Sequence, residues 1–392
     1  MPSSTAIHDP NLLWHALTGL SSAAPPTPRH SLAHKRVLLT GAGGSIGSAL
    51  AHAIAASHPA HLLLLDTSEH SLYEIDRALA TVSHAAILGS VTDRPLLDDL
   101  FHHHRPEIIF HAAAFKHVPL IEQNPFAALA NNALGTWTLA QAAAQHRAAH
   151  LLLVSTDKAV DPHSLMGATK RLAELALLAL AETTPTRTTR TRMSIVRLGN
   201  VLGSHGSVLP LFLDQLARNL PLTVTHPDAR RFFLTLDHTV AALLDALETP
   251  AIPSTILVPE LAPPIRILDL ARHLIAHQRA TPAEIRFTGL RPGDKLEESL
   301  ISPREHWLPV SNNGPHPTLC APLPSPLRAL VSPHPTAAVF AAAMHALAEA
   351  VAHRDLTRAL DLVLQLVPEY MPSPTLTHSI HPTIRQAEEA RA

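Results

Sequence analysis

The sequence has a single cysteine, Cys320, among its 392 residues. One cysteine forms neither an intramolecular disulfide nor a cysteine-rich zinc site. The 29 histidines are scattered without the spacing that metal ligation needs, so we predict no metal site. Because a chain without disulfides fits a reducing compartment, we expect a cytoplasmic protein.

Neither sign of charge is in excess, and long apolar runs are missing. The chain has 30 Lys and Arg against 32 Asp and Glu, a formal net charge of −2. Proteins that bind nucleic acid through its phosphates usually carry a basic excess, so we expect no nucleic-acid partner. No stretch reaches the ~18 apolar residues of a membrane span, and residues 1–30 lack the pattern of a signal peptide. We therefore expect a soluble protein without a transmembrane segment.

Short β-like runs alternate with Ala- and Leu-rich helical stretches in the first half of the chain. Such alternation is typical of a parallel sheet covered by helices on both faces. It predicts an α/β fold with a doubly wound parallel sheet, the Rossmann arrangement that binds dinucleotides. The predicted strands are 36–40, 61–66, 108–111, 151–155 and 194–198.

Proline interrupts the chain after Gly206 and favours short elements in a smaller substrate-binding lobe. The composition predicts a loop or linker over 301–335 and a helix over 336–367. The predicted division is an N-terminal extension at 1–35, a dinucleotide-binding Rossmann domain at 36–205, a substrate-binding lobe at 206–300, and a Pro/His-rich linker with a C-terminal helical segment at 301–392.

Glycine is scarce, with 14 residues, yet four of them fall within the segment GAGGSIG at 41–47. The segment follows a predicted strand and opens a predicted helix. Glycine there allows a tight turn and a close approach of the backbone to a pyrophosphate, which the helix N-terminus attracts. A carboxylate at the end of the next strand accepts hydrogen bonds from a ribose and favours NAD over NADP. The pattern predicts a dinucleotide site at Gly41, Gly44, Ser45, Ile46, Gly47 and Asp66.

Several segments in one order carry a family resemblance. The chain resembles the extended short-chain dehydrogenase/reductase superfamily, and within it the polysaccharide-biosynthesis (CapD-like) nucleotide-sugar 4,6-dehydratases. It is similar in particular to UDP-N-acetylglucosamine 4,6-dehydratases, which implies a UDP-sugar substrate, NAD as cofactor and a homo-oligomer. The segments are GAGGSIGS (41–48), HAAAFKHVP (111–119), STDKAV (155–160), MGATKR (166–171), RLGNVLG (197–203) and GLRPGDK (289–295), with a weaker echo in LVPEY (366–370).

The resemblance also implies cofactor contacts beyond the glycine-rich segment. Three consecutive alanines end a predicted strand and allow a nicotinamide ribose to lie close to the backbone. Ser90 stands where the family commonly has Asp against the adenine, so we expect a looser contact there. Asn132 corresponds to the family's structural Asn, with the neighbouring Asn131 as the alternative register. The implied contacts are Ser90, Val91, Ala112, Ala113, Ala114, Asn132 and Lys170.

A hydroxyl, an acid and an amine follow one another at the end of a predicted strand, as Thr156, Asp157 and Lys158. Open α/β sheets bind their ligands at such strand ends. The family's active helix usually carries Tyr and Lys four residues apart, whereas this chain has Met166 and Lys170. A thioether does not titrate. Either acid–base work has moved to the three residues at the strand end, or activity has been lost.

The reaction that the resemblance implies removes hydride from C4 of the hexose, eliminates water across C5 and C6, and returns hydride to C6. We expect Asp157 to be the acid toward the C6 hydroxyl, Lys158 the C5 base and Thr156 a hydrogen-bonding partner of O4. These roles require burial and mutual interaction to raise the pKa of Asp157 and to lower the pKa of Lys158. Lys170 would hold the nicotinamide ribose.

Substrate binding requires cations for the UDP pyrophosphate. Arg231 and Arg291 are the best candidates because a guanidinium matches phosphate oxygens, with Asn200 as a neutral partner and Lys116 as a weaker candidate. A nucleotide-sugar 4-epimerase or reductase on the same fold is the alternative, as is a non-catalytic nucleotide-sugar-binding protein. The acid–amine pair argues against an epimerase, which has nothing to eliminate.

Overall fold

A computed structural model of the chain describes residues 9–21, 26–182, 191–249, 255–277, 283–308 and 327–380. Cys320 lies outside the described residues. The strands, in chain order, are β1 Arg36–Thr40, β2 His61–Asp66, β3 His84–Leu88, β4 Ile108–His111, β5 His150–Thr156, β6 Arg192–Leu198, β7 Asn200–Val201, β8 Leu222–Val224, β9 Arg230–Arg231, β10 Phe233–Leu234, β11 Thr255–Pro259, β12 Ile265–Arg266, β13 Ile285–Phe287, β14 His306–Trp307 and β15 Leu327–Val331.

Helices cover both faces of the sheet and the lobe. Single 3₁₀ turns lie at His30–Leu32 and Asp157–Ala159, and a π-helical turn lies at Leu129–Leu134. The α-helices are α1 Pro10–Thr18, α2 Ser45–Ala56, α3 Glu69–Ala78, α4 Arg94–His104, α5 Val118–Gln123, α6 Pro125–Ala128, α7 Gly135–Gln145, α8 Leu165–Glu182, α9 Val208–Ala217, α10 Leu236–Glu248, α11 Ile267–His277, α12 Ala337–Ala352, α13 Leu356–Leu366 and α14 Pro374–Ile380.

Nine strands form the central sheet, in the order β14-β15-β11-β6-β5-β4-β1-β2-β3. In this sheet order, the seven neighbouring strands β11, β6, β5, β4, β1, β2 and β3 all run parallel to one another. Strand β15 pairs with β11 in the antiparallel sense. Helices connect consecutive parallel strands and cover both faces, so the interior strands consist almost wholly of buried apolar residues. The predicted doubly wound fold is confirmed.

The five predicted strands are present, two of them longer than predicted, at His150–Thr156 and Arg192–Leu198. The loop predicted over 301–335 is wrong at His306–Trp307 and Leu327–Val331, because both segments pair into the central sheet. The helix predicted over 336–367 is two helices, α12 and α13, separated by a turn in which Arg354 takes a positive φ of 55°.

A third apolar cluster lies in the lobe, apart from the two clusters that cover the faces of the central sheet. Leu13 and Trp14 of α1 pack into it beside Phe212 of α9 and Leu270 of α11. The N-terminal helix therefore belongs to the core of the lobe, while the division of the chain into domains stays a prediction. In the described part of the chain, no helix combines the length and the apolar character needed to cross a bilayer.

Candidate active site

A cavity of about 1580 Å³ opens at the carboxyl ends of the parallel strands. Strand order reverses between β1 and β4, and open α/β sheets bind ligands at such a reversal. The glycine-rich turn between β1 and α2 forms one wall, and Thr223, Arg231 and Ile267 of the lobe line another. The cavity therefore lies where the sequence placed the site.

Most of the predicted site residues line this cavity, although they come from positions 41 to 291 of the chain. Ser90, Asn132 and Asp157 do not belong to the lining. The predicted residues that line it are Gly41, Gly44, Ser45, Ile46, Gly47, Asp66, Val91, Ala112, Ala113, Ala114, Lys116, Thr156, Lys158, Met166, Lys170, Asn200, Arg231 and Arg291.

The glycine-rich turn has no room for a side chain at Gly41 or Gly47. Gly41 takes a φ of +69°, and a Cβ there would lie 2.6 Å from the backbone nitrogen of Ala113. A Cβ on Gly47 would lie 1.9 Å from the carbonyl oxygen of Gly41. Helix α2 begins at Ser45 without a side-chain cap, so its first N–H groups are open to an anion. This cradle fits the pyrophosphate of a dinucleotide.

Asp66 ends β2 beside the turn. Its Oδ2 accepts a hydrogen bond from the Gly43 N–H at 2.9 Å, and its Oδ1 accepts one from the Ser68 N–H at 2.9 Å. The carboxylate therefore fixes the turn as well as lining the cavity. Ser90, which does not line the cavity, forms a hydrogen bond with Thr92, at 2.8 Å between the two hydroxyl oxygens.

Asn132 does not line the cavity but binds the backbone of Phe115, which does. Its side chain accepts from the Phe115 N–H at 2.8 Å, donates to the Phe115 carbonyl at 2.9 Å and donates to Thr169 Oγ1 at 3.1 Å. These bonds fix the segment after β4 against α8. Asn132 lies in the π-helical turn and is 1 % exposed, so it acts on the cavity wall through Phe115.

Thr156, Asp157 and Lys158 form one hydrogen-bonded unit where β5 ends. Thr156 Oγ1 donates to Asp157 Oδ1 at 3.0 Å, and Lys158 Nζ donates to the same oxygen at 3.0 Å. Lys158 Nζ also donates to Asn200 Oδ1 at 2.9 Å. Asp157 is fully buried, so the Thr156 hydroxyl and the Lys158 amine separate it from the cavity.

The pKa of Asp157 follows the expectation from the sequence, and the pKa of Lys158 does not. Burial raises the pKa of Asp157 more than the Lys158 charge lowers it, as expected. Burial alone would lower the pKa of Lys158, but the carboxylates of Asp157 and Glu298 together raise it above its ordinary value. The expected lowering of the Lys158 pKa is therefore wrong for this structure, in which Lys158 is an ammonium ion.

Glu298 contacts Lys158 at this site, although the sequence did not point to it. Its side chain is 3 % exposed, and its Oε1 lies 3.4 Å from Lys158 Nζ. The segment GLRPGDK ends at Lys295, three residues before Glu298. The chain has only five lysines, and their concentration at this site is the sequence signal that could have pointed to the region. Three lysines line the cavity and a fourth, Lys295, contacts Glu298. The chain's lysines are Lys35, Lys116, Lys158, Lys170 and Lys295.

Met166 and Lys170 lie one turn apart on α8, and both line the cavity. The Lys170 Nζ donates to the Val154 carbonyl of β5 at 2.7 Å. Burial lowers the pKa of Lys170 to about 8, against a partial opposing effect of the Glu174 charge. The start of the helix is fixed by Glu122, whose Oε1 accepts from the Leu165 N–H at 2.7 Å.

A buried network of charged side chains contacts the end of β5 through Ser155. Ser155 donates to Glu174 Oε1 at 2.7 Å. The guanidinium of Arg197 contacts Glu174 Oε2 and Glu305 Oε2, each at 2.8 Å. Arg171 also pairs with Glu174, at 3.0 Å. Arg197 belongs to the segment RLGNVLG, for which the sequence predicted no role at this position, and the structure makes it the centre of this network.

The four predicted substrate contacts all line the cavity: Arg231 and Arg291 come from the predicted lobe, and Lys116 and Asn200 from the predicted Rossmann domain. Arg231 donates to the Lys295 and Leu296 carbonyls at 2.8 and 3.1 Å, which fixes its guanidinium. Arg291 is exposed and pairs with Asp294 at 2.8 Å. Burial lowers the pKa of Lys116. In the described part of the chain, no group of three His, Cys, Asp or Glu side chains is arranged to hold a metal ion.

The strand order, the glycine-rich turn and the unit at the end of β5 define a Rossmann-fold protein of the extended short-chain dehydrogenase/reductase class. The model of the family described as "Polysaccharide biosynthesis protein" matches residues 37–313. The chain belongs to this family. The resemblance that the sequence segments carried is thereby confirmed.

Known relatives agree with this assignment. Capsular polysaccharide biosynthesis protein CapD of Staphylococcus aureus is 38% identical over 281 residues, 70% of this chain and 46% of CapD. Probable polysaccharide biosynthesis protein EpsC of Bacillus subtilis is 40% identical over 279 residues, 69% of this chain and 46% of EpsC. A UDP-glucose 4-epimerase of Rickettsia rickettsii is 33% identical over 279 residues, 69% of this chain and 79% of that protein. The chain thus spans about half the length of the first two.

Solved structures share the fold. The X-ray structure of Pen from Bacillus thuringiensis superposes with a TM-score of 0.65 at 27% identity, covering 69% of this chain and 83% of Pen. A DesIV double mutant (dTDP-glucose 4,6-dehydratase) from Streptomyces venezuelae, solved with NAD bound, superposes with a TM-score of 0.60 at 23% identity. It covers 68% of this chain and 88% of DesIV. At that identity the likeness concerns the fold alone.

Proposed function

We propose that this chain is a nucleotide-sugar 4,6-dehydratase. It converts a UDP-N-acetylhexosamine, UDP-N-acetylglucosamine first among them, to the 4-keto-6-deoxy derivative for surface polysaccharide synthesis in the cytoplasm. The observation that carries the proposal is the acid–amine contact of 3.0 Å between Asp157 and Lys158 at the wall of the cavity. An elimination needs one group to take a proton and another to give one, and this pair supplies both.

NAD fits the cradle between β1 and α2. Gly41, Gly44 and Gly47 would hold its pyrophosphate at the start of α2, Asp66 its adenosine ribose and Lys170 its nicotinamide ribose. A carboxylate at the end of β2 repels a 2′-phosphate, which favours NAD over NADP. When bound, the cofactor accepts hydride from C4 of the sugar and returns it to C6.

The first proton to move is that of the C4 hydroxyl. Thr156 lines the cavity and its hydroxyl lies 3.0 Å from Asp157 Oδ1. We assign Thr156 to pass the O4 proton to the Asp157 carboxylate as C4 becomes a ketone. Burial raises the pKa of Asp157, which makes the carboxylate a better proton acceptor. In this route Thr156 and Asp157 accept the O4 proton, which a tyrosine in place of Met166 would otherwise accept.

The ketone then acidifies the C5–H bond. Lys158, once it has lost its proton to solvent, takes the C5 proton, while Asp157 gives its proton through Thr156 to the C6 hydroxyl, which leaves as water. Lys158 returns its proton to C5 when hydride reaches C6. Asp157 ends as a carboxylate and Lys158 as an amine, so the proton count closes for each turnover. Arg231 and Arg291, with Asn200 and Lys116, would bind the UDP portion.

Incubation of the purified chain with UDP-N-acetylglucosamine and NAD⁺, without added reductant, tests the proposal. Mass spectrometry should show a sugar nucleotide lighter by one water, and NMR should show a ketone at C4 and a methyl group at C6. Asp157→Asn serves as the matched inactive control. Unchanged substrate across several UDP-hexoses would contradict the proposal and favour a non-catalytic binding protein.

A nucleotide-sugar 4-epimerase is the second candidate, because a relative at 33% identity carries the name UDP-glucose 4-epimerase. An epimerase inverts C4 without losing water. The same experiment separates the two reactions, since the epimerase product keeps the mass of the substrate and differs only in the NMR couplings at C4.

A further inference from the structure

Lys158 is surrounded by acceptors on three sides. Its Nζ lies 2.9 Å from Asn200 Oδ1, 3.0 Å from Asp157 Oδ1 and 3.4 Å from Glu298 Oε1. An ammonium has three protons, and these contacts match that number. Two of the three acceptors are carboxylates, so the arrangement favours the charged form of Lys158.

Glu298 reaches this position from the lobe side, behind the cavity wall. The segment that carries it is attached to β9, since the backbone N–H of Arg230 donates to the Leu296 carbonyl at 2.9 Å. Lys295 ties the same segment to the strand end by donating to the Val160 carbonyl at 2.6 Å. The carboxylate therefore has a fixed place beside Lys158.

Glu298 lies among three cations. Lys158 Nζ is 3.4 Å away, Lys295 Nζ 3.6 Å and Arg231 Nε 3.8 Å. Its Oε2 is buried and has no hydrogen-bond partner among the described residues. Burial raises the pKa of Glu298, but the three cations lower it by more, so it remains a carboxylate.

We propose that Glu298 is a positioning residue for the proposed dehydratase: its carboxylate holds Lys158 against the cavity wall, keeps the proton on it, and so sets the pH above which Lys158 acts as a base. The inference rests on the proposed function for its catalytic consequence. The contact itself is independent of that function, since it needs only Lys158 and its neighbours.

Other charged groups face Lys158 as well. Asp157 favours the ammonium form and Arg231 opposes it. Lys295 contributes an opposing charge from behind Glu298, with Asp161 and His163 near that lysine. Asp157 cannot be changed without removing the proposed acid, whereas Glu298 touches neither the cavity nor the substrate side of Lys158. Replacement of Glu298 therefore changes the charge beside Lys158 while the proposed acid, Asp157, stays in place.

The experiment measures the pH dependence of Lys158 acylation by acetic anhydride in the full chain. Only the free amine reacts, and peptide mass spectrometry reports the rate at Lys158 against that at the exposed Lys35. In Glu298→Gln we expect the midpoint for Lys158 to fall by about one pH unit, because a carboxylate within ~4–6 Å has been neutralised. Glu297→Gln, which changes an exposed neighbour, should leave the midpoint unchanged.

Glu298→Asp keeps the charge but shortens the side chain by one methylene, and it should lower the midpoint by a smaller amount. If Glu298→Gln does not fold, this variant decides the question. A midpoint for Lys158 that is identical in the variant and the unaltered chain overturns the proposal. Equal shifts in Glu298→Gln and Glu297→Gln overturn it too, since the effect would then be one of net charge.

Turnover supplies the catalytic readout. Because the free amine is the active form, the rate should rise with pH in the unaltered chain, and this acid limb should move to lower pH in Glu298→Gln. A merely structural role would reduce kcat without moving the limb. Absence of turnover in the unaltered chain counts against the dehydratase alone, because the acylation measurement still decides the role of Glu298.

Discussion

Thr156, Asp157 and Lys158 form one hydrogen-bonded unit because one carboxylate oxygen, Asp157 Oδ1, accepts from both neighbours. The second oxygen, Asp157 Oδ2, is buried without a hydrogen-bond partner in the described part of the chain. An unpaired buried carboxylate oxygen raises the cost of the charge, which is why Asp157 gains a proton readily. The hydrogen bonds from Lys158 and Thr156 each lower the pKa of Asp157, so removal of either neighbour should raise that pKa further.

Replacement of the acid or the base should nearly abolish turnover. Asp157→Asn and Lys158→Met should each lower kcat by about 10²- to 10⁴-fold, the usual effect of removing a positioned acid or base. KM should change little, because neither residue is expected to hold the UDP portion. Met166→Ala, which changes only the shape of the cavity, should keep substantial turnover. Steady-state kinetics decide the point, and near-normal rates in the first two variants would refute the roles of Asp157 as acid and Lys158 as base.

Lys170 should make the protein more stable at alkaline pH. Burial lowers its pKa to about 8 in the folded chain, while the unfolded chain keeps a value near 10.5. Between these values the unfolded state binds more protons, so the free energy of unfolding rises with pH, by up to about 3 kcal/mol for this shift. Urea unfolding of Lys170→Met should lack this rise.

The exposed Lys35 provides the matched comparison, since its side chain is 45% exposed. Lys35→Met should retain the alkaline rise in the free energy of unfolding. Parallel pH curves for Lys170→Met and the unaltered chain would mean that Lys170 is not the source of the effect.

At the scale of elements, the buried charges join β5, β6, α8 and the segment that leads into β14. Arg197 of β6 is fully buried between Glu174 of α8 and Glu305. Burial raises the pKa of Glu305, but the hydrogen bonds and the charge of Arg197 lower it by more, to about 2. The stabilisation from Glu305 is therefore complete above about pH 4.5 and lost as pH falls toward 2.

Glu305→Gln should lower the free energy of unfolding by about 3–5 kcal/mol at neutral pH, because it leaves Arg197 buried without its full complement of charge. The effect should diminish between about pH 4.5 and 2, where the unaltered Glu305 also becomes neutral. Urea unfolding measures both quantities. Asp214→Asn, which breaks the exposed pair with Arg218 on α9, should cost about 0.5 kcal/mol or less. Equal losses in the two variants would contradict a buried role for Glu305.

At the scale of the whole molecule, the C-terminal segment completes the Rossmann core. Strand β15 covers the edge of β11 in the antiparallel sense, and α12 packs against α8. Phe340 of α12 is fully buried, with its ring centroid 5.4 Å from that of Trp137 on α7. The apolar core therefore continues past residue 313, where the match to the family ends.

Phe340→Ala should lower the free energy of unfolding by about 3–5 kcal/mol, the range for removing a buried aromatic side chain. Val339→Ala, on the exposed side of the same helix, should change it by less than about 0.5 kcal/mol. Urea unfolding of the full chain compares the two. If Phe340→Ala is as mild as Val339→Ala, the C-terminal helices do not belong to the cooperative core.

The number of chains in solution is a property of the same scale. The family resemblance predicts a homo-oligomer, and the cytoplasmic location is likewise a prediction from the lone Cys320. Sedimentation of the purified chain measures the first of these.

The sequence by itself determined the fold and the family, and most of the residues that it predicted for the site line one cavity. Buried parallel strands are continuous apolar runs, and the turn at Gly41 and Gly47 admits no side chain, so both features are legible in local sequence. Strand β15 escaped detection because its short run lies in Pro-rich surroundings and pairs with the distant β11.

Tertiary structure decided the charge of Asp157 and Lys158, the groups proposed as acid and base. Asp157 and Lys158 are neighbours in sequence, which predicted their contact, but the ammonium form of Lys158 also depends on Glu298, which lies 3.4 Å away and is remote in the chain. The burial of Asp157 likewise depends on elements packed around the end of β5. A pKa is set by the charges and the solvent within a few ångströms of a group, and only the folded chain brings these together.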